Sequence, residues 1–216
     1  MGQLARRFPA FLIAGLAAAL AVACGGSSSP TSPTSPSPPP GSVTLPSLDE
    51  MLADKTMGST GAPNTIIEYS SFSCPHCANF HAVTLPELKT KHIDTGNARF
   101  IFRDFPLDSP SLQAGMLARC AGDARYFEVI EQLFRTETTW TSGSPSQGLA
   151  TVMLGLGMSQ ATIDACKADS ALQQGILKIQ QDGQTQFGVN ATPTFIVNGD
   201  TVVGNVPLSE LEKHFK

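Results

Sequence analysis

Cys74-Pro75-His76-Cys77 sets two thiols two residues apart. The preceding run, Thr65-Ile66-Ile67-Glu68-Tyr69-Ser70, is β-branched and aromatic and reads as a strand; beyond the pair, Ala78, Phe80, His81, Leu85 and Leu88 keep helical spacing. The thiols therefore fall on the first turn of a helix, where Pro75 is tolerated. There the two sulfurs are close enough to bond, and the helix N-terminus stabilises a thiolate on Cys74. His76, charged or as a hydrogen-bond donor, adds to this, so the Cys74 pKa is expected below the ordinary thiol range. A low pKa makes Cys74 a good leaving group, stabilises the reduced pair and raises its reduction potential. The chemistry this spacing supports is thiol–disulfide exchange, with Cys74 as nucleophile and Cys77 as its partner.

Two other uses of the motif compete. A zinc half-site needs a second ligand pair at matching spacing, and Cys120 and Cys166 stand singly in helical stretches; no metal is expected. A purely structural Cys74–Cys77 disulfide is the other. Cys120 and Cys166 are expected to form a structural disulfide in an oxidising compartment, the alternative being two buried thiols that pack as small apolar groups. His81 falls one helical turn past Cys77, near the site, whereas His92 and His214 read as solvated. Trp140, the single tryptophan, reads as a packing residue.

The elements that position these residues occupy most of the chain. A short helix over Leu48–Leu52 follows the cap Ser47, and Met57 to Asn64 is rich in turn residues. A second strand runs from Arg99 to Phe105. Between about residues 108 and 187 apolar residues recur every three or four positions, with helix starts at Ser109, Arg125, Pro145 and Ser159. Gly188 suits a helix C-terminus. Thr194–Val197 and Thr201–Val203 flank Asn198-Gly199-Asp200 as a hairpin, and a last helix runs from about Leu208 to Phe215. The order is strand, helix, strand, helices, hairpin, helix: an α/β chain.

Of 216 residues 41% are hydrophobic, enough for a packed core, and the net charge of −4 argues against a nucleic-acid binder. The first 46 residues contribute no core. Arg6 and Arg7 precede an uncharged run from Phe8 to Ala23, which is too short for a comfortable membrane span and has the form of a secretion signal. Ending in Ala21-Val22-Ala23-Cys24, residues 1–23 resemble a bacterial lipoprotein signal, which implies lipid on Cys24; an ordinary secretory signal is the alternative. From Gly25 to Ser42 every residue is Gly, Ser, Thr or Pro. Residues 24–46 read as a tether, which as polyproline II at about 3.1 Å per residue reaches roughly 50 Å.

Over about Met57 to Lys216 the chain resembles the DsbA-like thiol:disulfide oxidoreductases of bacterial envelopes. The resemblance rests on Phe72-Ser73-Cys74-Pro75-His76-Cys77 after a strand, on Arg99 to Pro106, and on Ala191-Thr192-Pro193-Thr194-Phe195 before Val197-Asn198-Gly199. It implies a thioredoxin fold with an inserted helical subdomain, the whole domain being residues 47–216. It implies also that Pro193 is a cis-proline, that Thr192 and Pro193 bind substrate, and that Glu68 is a buried acid assisting proton transfer to Cys77. A trans proline opening a strand and a solvent-facing Glu68 are the bland alternatives. The implied function is an oxidase in the bacterial envelope, with no cofactor but the Cys74–Cys77 disulfide. Its substrates would be reduced secreted proteins, a DsbB-like membrane protein would reoxidise it, and a lipid anchor would hold it to a membrane. Thr192 stands where the best-known oxidases carry valine and isomerases threonine. A reductase or isomerase, or a non-catalytic binding lipoprotein, are therefore the other readings.

Overall fold

The computed structural model describes residues 43–216; the leader, Cys24 and the tether up to Ser42 lie outside these residues. Five strands form one mixed sheet in the order β1-β3-β2-β4-β5. The strand anticipated before the cysteines is β2 (Asn64–Ser70), and the one after is β3 (Ala98–Asp104). They pair in parallel, with Glu68 opposite Phe102 and Ser70 opposite Asp104. On the other side of β2, β4 (Thr194–Val197) runs antiparallel, with Glu68 opposite Phe195, and β5 (Asp200–Val203) forms the edge. β2 is thus central, and nearly every side chain on it is buried.

One strand falls where turns were expected. β1 (Lys55–Met57) pairs antiparallel with β3, and its three residues are too few to carry a period-two signal. Between β4 and β5, Asn198 (φ 53°) and Gly199 (φ 102°) both adopt left-handed backbone, as a two-residue hairpin of this twist requires.

The helix after β2 is α2 (Pro75–Leu88), continued by a π-helical turn over Lys89–Ile93. Six helices separate β3 from β4: α3 (Ser109–Cys120), α4 (Tyr126–Arg135), α5 (Glu137–Trp140), α6 (Pro145–Gly155), α7 (Gln160–Ala168) and α8 (Ser170–Phe187). Capping by Asp108, Ser159 and Asp169 sets three of their starts, each side chain accepting an amide from the first turn. α8 ends at Gly188 (φ 67°) and returns to the sheet, where Gly183 lies against the Tyr69 ring. α1 (Leu48–Leu52) precedes the sheet, and α9 (Leu208–Glu212), shorter than its apolar pattern suggested, closes it.

The core joins the sheet to these helices through aromatic rings; Phe72 stacks on Phe134 at 5.0 Å and lies 5.5 Å from Phe102. Trp140 is fully buried, its indole N–H donating to the Leu133 carbonyl at 2.8 Å. Two polar ties fix α3. Arg119, buried, donates to Asp104 of β3 at 2.7 Å and to the Met51 carbonyl of α1. Cys120 of α3 is disulfide-bonded to Cys166 of α7, closing a loop of 46 residues. His92, read from sequence as solvated, is half-buried instead. It donates to Glu212 at 2.8 Å, packs edge-on against Phe215 and so ties the π-helical turn to the C-terminal segment.

Replacing Cys120 and Cys166 together by alanine should lower unfolding stability by about 2–4 kcal/mol, since chain-entropy reasoning values a loop of this length at about 4 kcal/mol. Urea unfolding of the oxidised protein and the double variant measures this; equal midpoints would contradict it.

Candidate active site

Cys74 is the N-cap residue of α2, and Pro75 occupies the first helical turn, where its missing N–H costs nothing. The loop leading to it is held by serines. Ser111 of α3 accepts from the Phe72 amide at 2.9 Å and shares a hydrogen bond with the Ser71 hydroxyl at 2.8 Å, and the Cys74 amide donates to the Ser71 carbonyl. The start of α2 is therefore braced against α3 before any chemistry occurs.

The two cysteines, both thiols here, are unequal. Cys74 keeps 6% of its surface, whereas Cys77 keeps none. The Cys74 thiol donates to the Thr192 carbonyl at 3.4 Å, across from the cis Thr192–Pro193 peptide. Several donors pull the Cys74 pKa down to about 5, against the opposing effect of burial: the Cys77 thiol first, then the Thr192 side chain and the amides of Cys77 and His76. Once Cys74 ionises it can no longer donate to the Thr192 carbonyl, and the Thr192 hydroxyl, buried and otherwise unpartnered, becomes the donor. His76 contributes its amide; its imidazole, from which help was expected, is exposed. Cys77 moves the other way. Burial pushes its thiol far up, its hydrogen bond to Cys74 and the nearby Glu68 charge add to this, and the Ser70 hydroxyl opposes it.

Glu68 does not face solvent. It is fully buried in the centre of the sheet, and His81 Nε2 of α2 donates to its Oε2 at 2.9 Å. The His81 ring is clamped by aromatic neighbours, stacking on Phe134 at 4.0 Å and meeting Phe102 edge-on at 5.8 Å. Glu68 Oε1 has no partner among the described residues. The spacing that placed His81 near the site gave no hint of this hydrogen bond, because the acid comes from the neighbouring strand.

A second acid was missed altogether. Glu137, first residue of α5, is buried, and its carboxyl is shifted upward by burial and then by the Cys74 charge. It lies 63 positions after Cys74 in a helix of four residues, and only the fold, which brings it within reach of the Cys74 charge, reveals it. Among the described residues no group of three or more His, Cys, Asp or Glu is placed to hold a metal, and no helix is long and apolar enough to cross a membrane.

The Glu68–His81 pair yields a test. Removing one partner of a buried hydrogen bond leaves the other unsatisfied, so Glu68→Leu or His81→Phe alone should cost about 1–3 kcal/mol, whereas the double variant should cost less than the sum of the two. Urea unfolding of the four proteins measures the coupling, and strictly additive losses would contradict it.

Comparison with known proteins agrees with this geometry. Residues 51–216 match the family described as Thioredoxin. A protein of Rickettsia bellii named "Putative protein-disulfide oxidoreductase" is 30% identical over 153 residues, covering 68% of this chain and 57% of that protein. The chain thus spans just over half the length of that relative. The crystal structure of alpha-DsbA1 from Wolbachia pipientis superposes with a TM-score of 0.69 at 29% identity, covering 74% of this chain and 87% of that one. BdbD from Bacillus subtilis, at 19% identity and a TM-score of 0.65, shares the fold over 79% of this chain and 95% of its own. With a cysteine pair opening α2, a cis-proline facing it and six helices set between β3 and β4, the chain belongs to the thioredoxin family and has a DsbA-like fold.

Proposed function

We propose that this chain is an extracytoplasmic protein thiol:disulfide oxidoreductase, working as an oxidase that donates the Cys74–Cys77 disulfide to secreted proteins. The observation that carries the reading is the inequality of the two sulfurs: Cys74 just beneath the surface with its pKa lowered, Cys77 sealed below it with its own raised. Such a pair stabilises its reduced form through a thiolate on Cys74 and leaves only that sulfur open to attack, which suits a disulfide donor.

A substrate thiolate attacks Cys74 Sγ, the Cys74–Cys77 bond breaks, and Cys77 leaves with the electron pair. Its high pKa makes it take a proton, and Glu68, buried near it, is the group placed to assist. The substrate is now joined to Cys74 through a mixed disulfide, with its backbone beside Thr192 and Pro193. A second substrate thiolate attacks the substrate sulfur and expels Cys74 as a stabilised thiolate. The substrate has lost two electrons and two protons, and the enzyme holds the electrons as a dithiol. No cofactor beyond the cysteine pair enters the cycle. Resetting it needs a two-electron oxidant, for which a DsbB-like, quinone-linked membrane protein is the candidate partner.

The leader supports an envelope location. Residues 1–23 serve as a lipoprotein-type signal, Cys24 carries lipid, and residues 24–46 tether the domain, 47–216, to a membrane, which raises its effective concentration near a membrane-bound oxidant. Thr192, the residue type of isomerases at this position, supports a second reading, a reductase or isomerase kept as dithiol by a membrane electron donor.

The reduction potential against glutathione separates the two. A value near about −120 mV identifies the oxidase, and one near about −230 mV or below contradicts it in favour of the reductase. Cys74→Ser should abolish oxidation of a reduced, unfolded test protein; retained activity would remove the assignment to this pair.

A further inference from the structure

A groove of about 1060 Å³ runs alongside α2 from the active-site end, with Pro75 and Glu137 both on its wall. Its apolar lining comes from Ala78, Ala82 and Leu85 of α2 and from Phe127, Ile130 and Phe134 of α4. Thr192 and Pro193 are not part of it, so Cys74 stands between the substrate-pairing loop and the groove.

The charges on the groove wall are not equivalent. Lys89 is paired with Asp94 at 2.7 Å, Glu128 with Arg125 at 3.2 Å, and Arg135 with Glu131 at 3.9 Å. Glu137 has no ion pair or side-chain hydrogen bond among the described residues, although only 6% of its surface is exposed. A carboxylate at the edge of an apolar groove, reaching water with little of its surface and lacking an ion-pair partner, is open to a cation arriving from outside. A polypeptide joined to Cys74 brings one within reach. In an extended chain, side chains two positions apart share a face, so residues two before and two after the reactive cysteine point towards the enzyme together with it.

We propose that Glu137 is a specificity-determining residue of the exchange site, favouring polypeptide substrates with lysine or arginine two positions from the reactive cysteine. This rests on the thiol–disulfide exchange reading above. The basic side chain lays its methylene stem along the apolar wall and its charge against Glu137. An acidic residue in the same place meets a like charge, and the mixed disulfide forms more slowly.

The test uses the oxidised protein and single-cysteine peptides carrying lysine, glutamine or glutamate at both flanking positions. Stopped flow gives the rate at which each peptide opens the Cys74–Cys77 disulfide. Flanking charge also alters the peptide thiol itself, but equally for every enzyme, so the comparison is the lysine-to-glutamate rate ratio in the native protein against that in Glu137→Gln. That ratio should be about tenfold larger in the native protein and shrink with added salt, and Glu137→Lys should carry it below the Glu137→Gln value. Equal ratios in all three proteins would overturn the proposal. Failure of every peptide to open the disulfide would instead overturn the exchange reading beneath it.

Discussion

A thiolate just beneath a protein surface persists only if donors for it are fixed before the proton leaves, because burial alone drives a thiol the other way. That requirement organises this molecule. The amides of His76 and Cys77 favour a thiolate on Cys74 because Cys74 stands at the N-cap position of α2, and α2 starts there because the Ser71–Ser111 contacts and Pro75 hold the loop in place. The Thr192 side chain, the remaining partner, is delivered by β4, which pairs with the same central strand that leads into the loop. One strand, β2, thus sets the distance between the nucleophile and the loop that faces it.

The second constraint is inequality. Cys74 and Cys77 share a helix turn, and what separates their chemistry is depth. Cys77 faces the sheet, where Glu68 and the aromatic core keep water away; Cys74 faces the 192–193 loop. Ionisation of Cys74 with a pKa lowered to about 5 contributes stability to the folded dithiol that is complete above the ordinary thiol value of about 8.5 and is lost as the pH falls through about 5. The disulfide form gains nothing from this. At neutral pH a Cys74 thiolate therefore tilts the balance towards the reduced protein, the direction that the proposed disulfide-donating role needs. Glu68 is a polar group fully buried in the core, and the His81 hydrogen bond is what makes it tolerable there.

Much of this was legible in residue order. The cysteine motif, the strand before it and the helix after it lie within 25 consecutive residues, so local propensity and spacing located them, and β4 and the Asn198-Gly199 turn followed from hairpin chemistry. What was not legible depends on contacts between distant segments. β1 is three residues long and takes its identity from pairing with β3. The Glu68–His81 pair joins a strand to a helix, the half-burial of His92 depends on Glu212 and Phe215, and Glu137 feels the Cys74 charge from a helix 63 positions further along the chain. Periodicity reports which face of an element is apolar; it carries no information on which polar group from elsewhere will meet it.

The central claim is that the start of α2 and the Thr192 loop stabilise a thiolate on Cys74 specifically. Titrating the ultraviolet absorbance of the thiolate in the reduced domain, with Cys74→Ser as the blank, measures this directly. The account predicts a single transition with a midpoint near about 5 that vanishes in Cys74→Ser. A midpoint in the ordinary thiol range near about 8.5, or a low transition that survives Cys74→Ser, would contradict it.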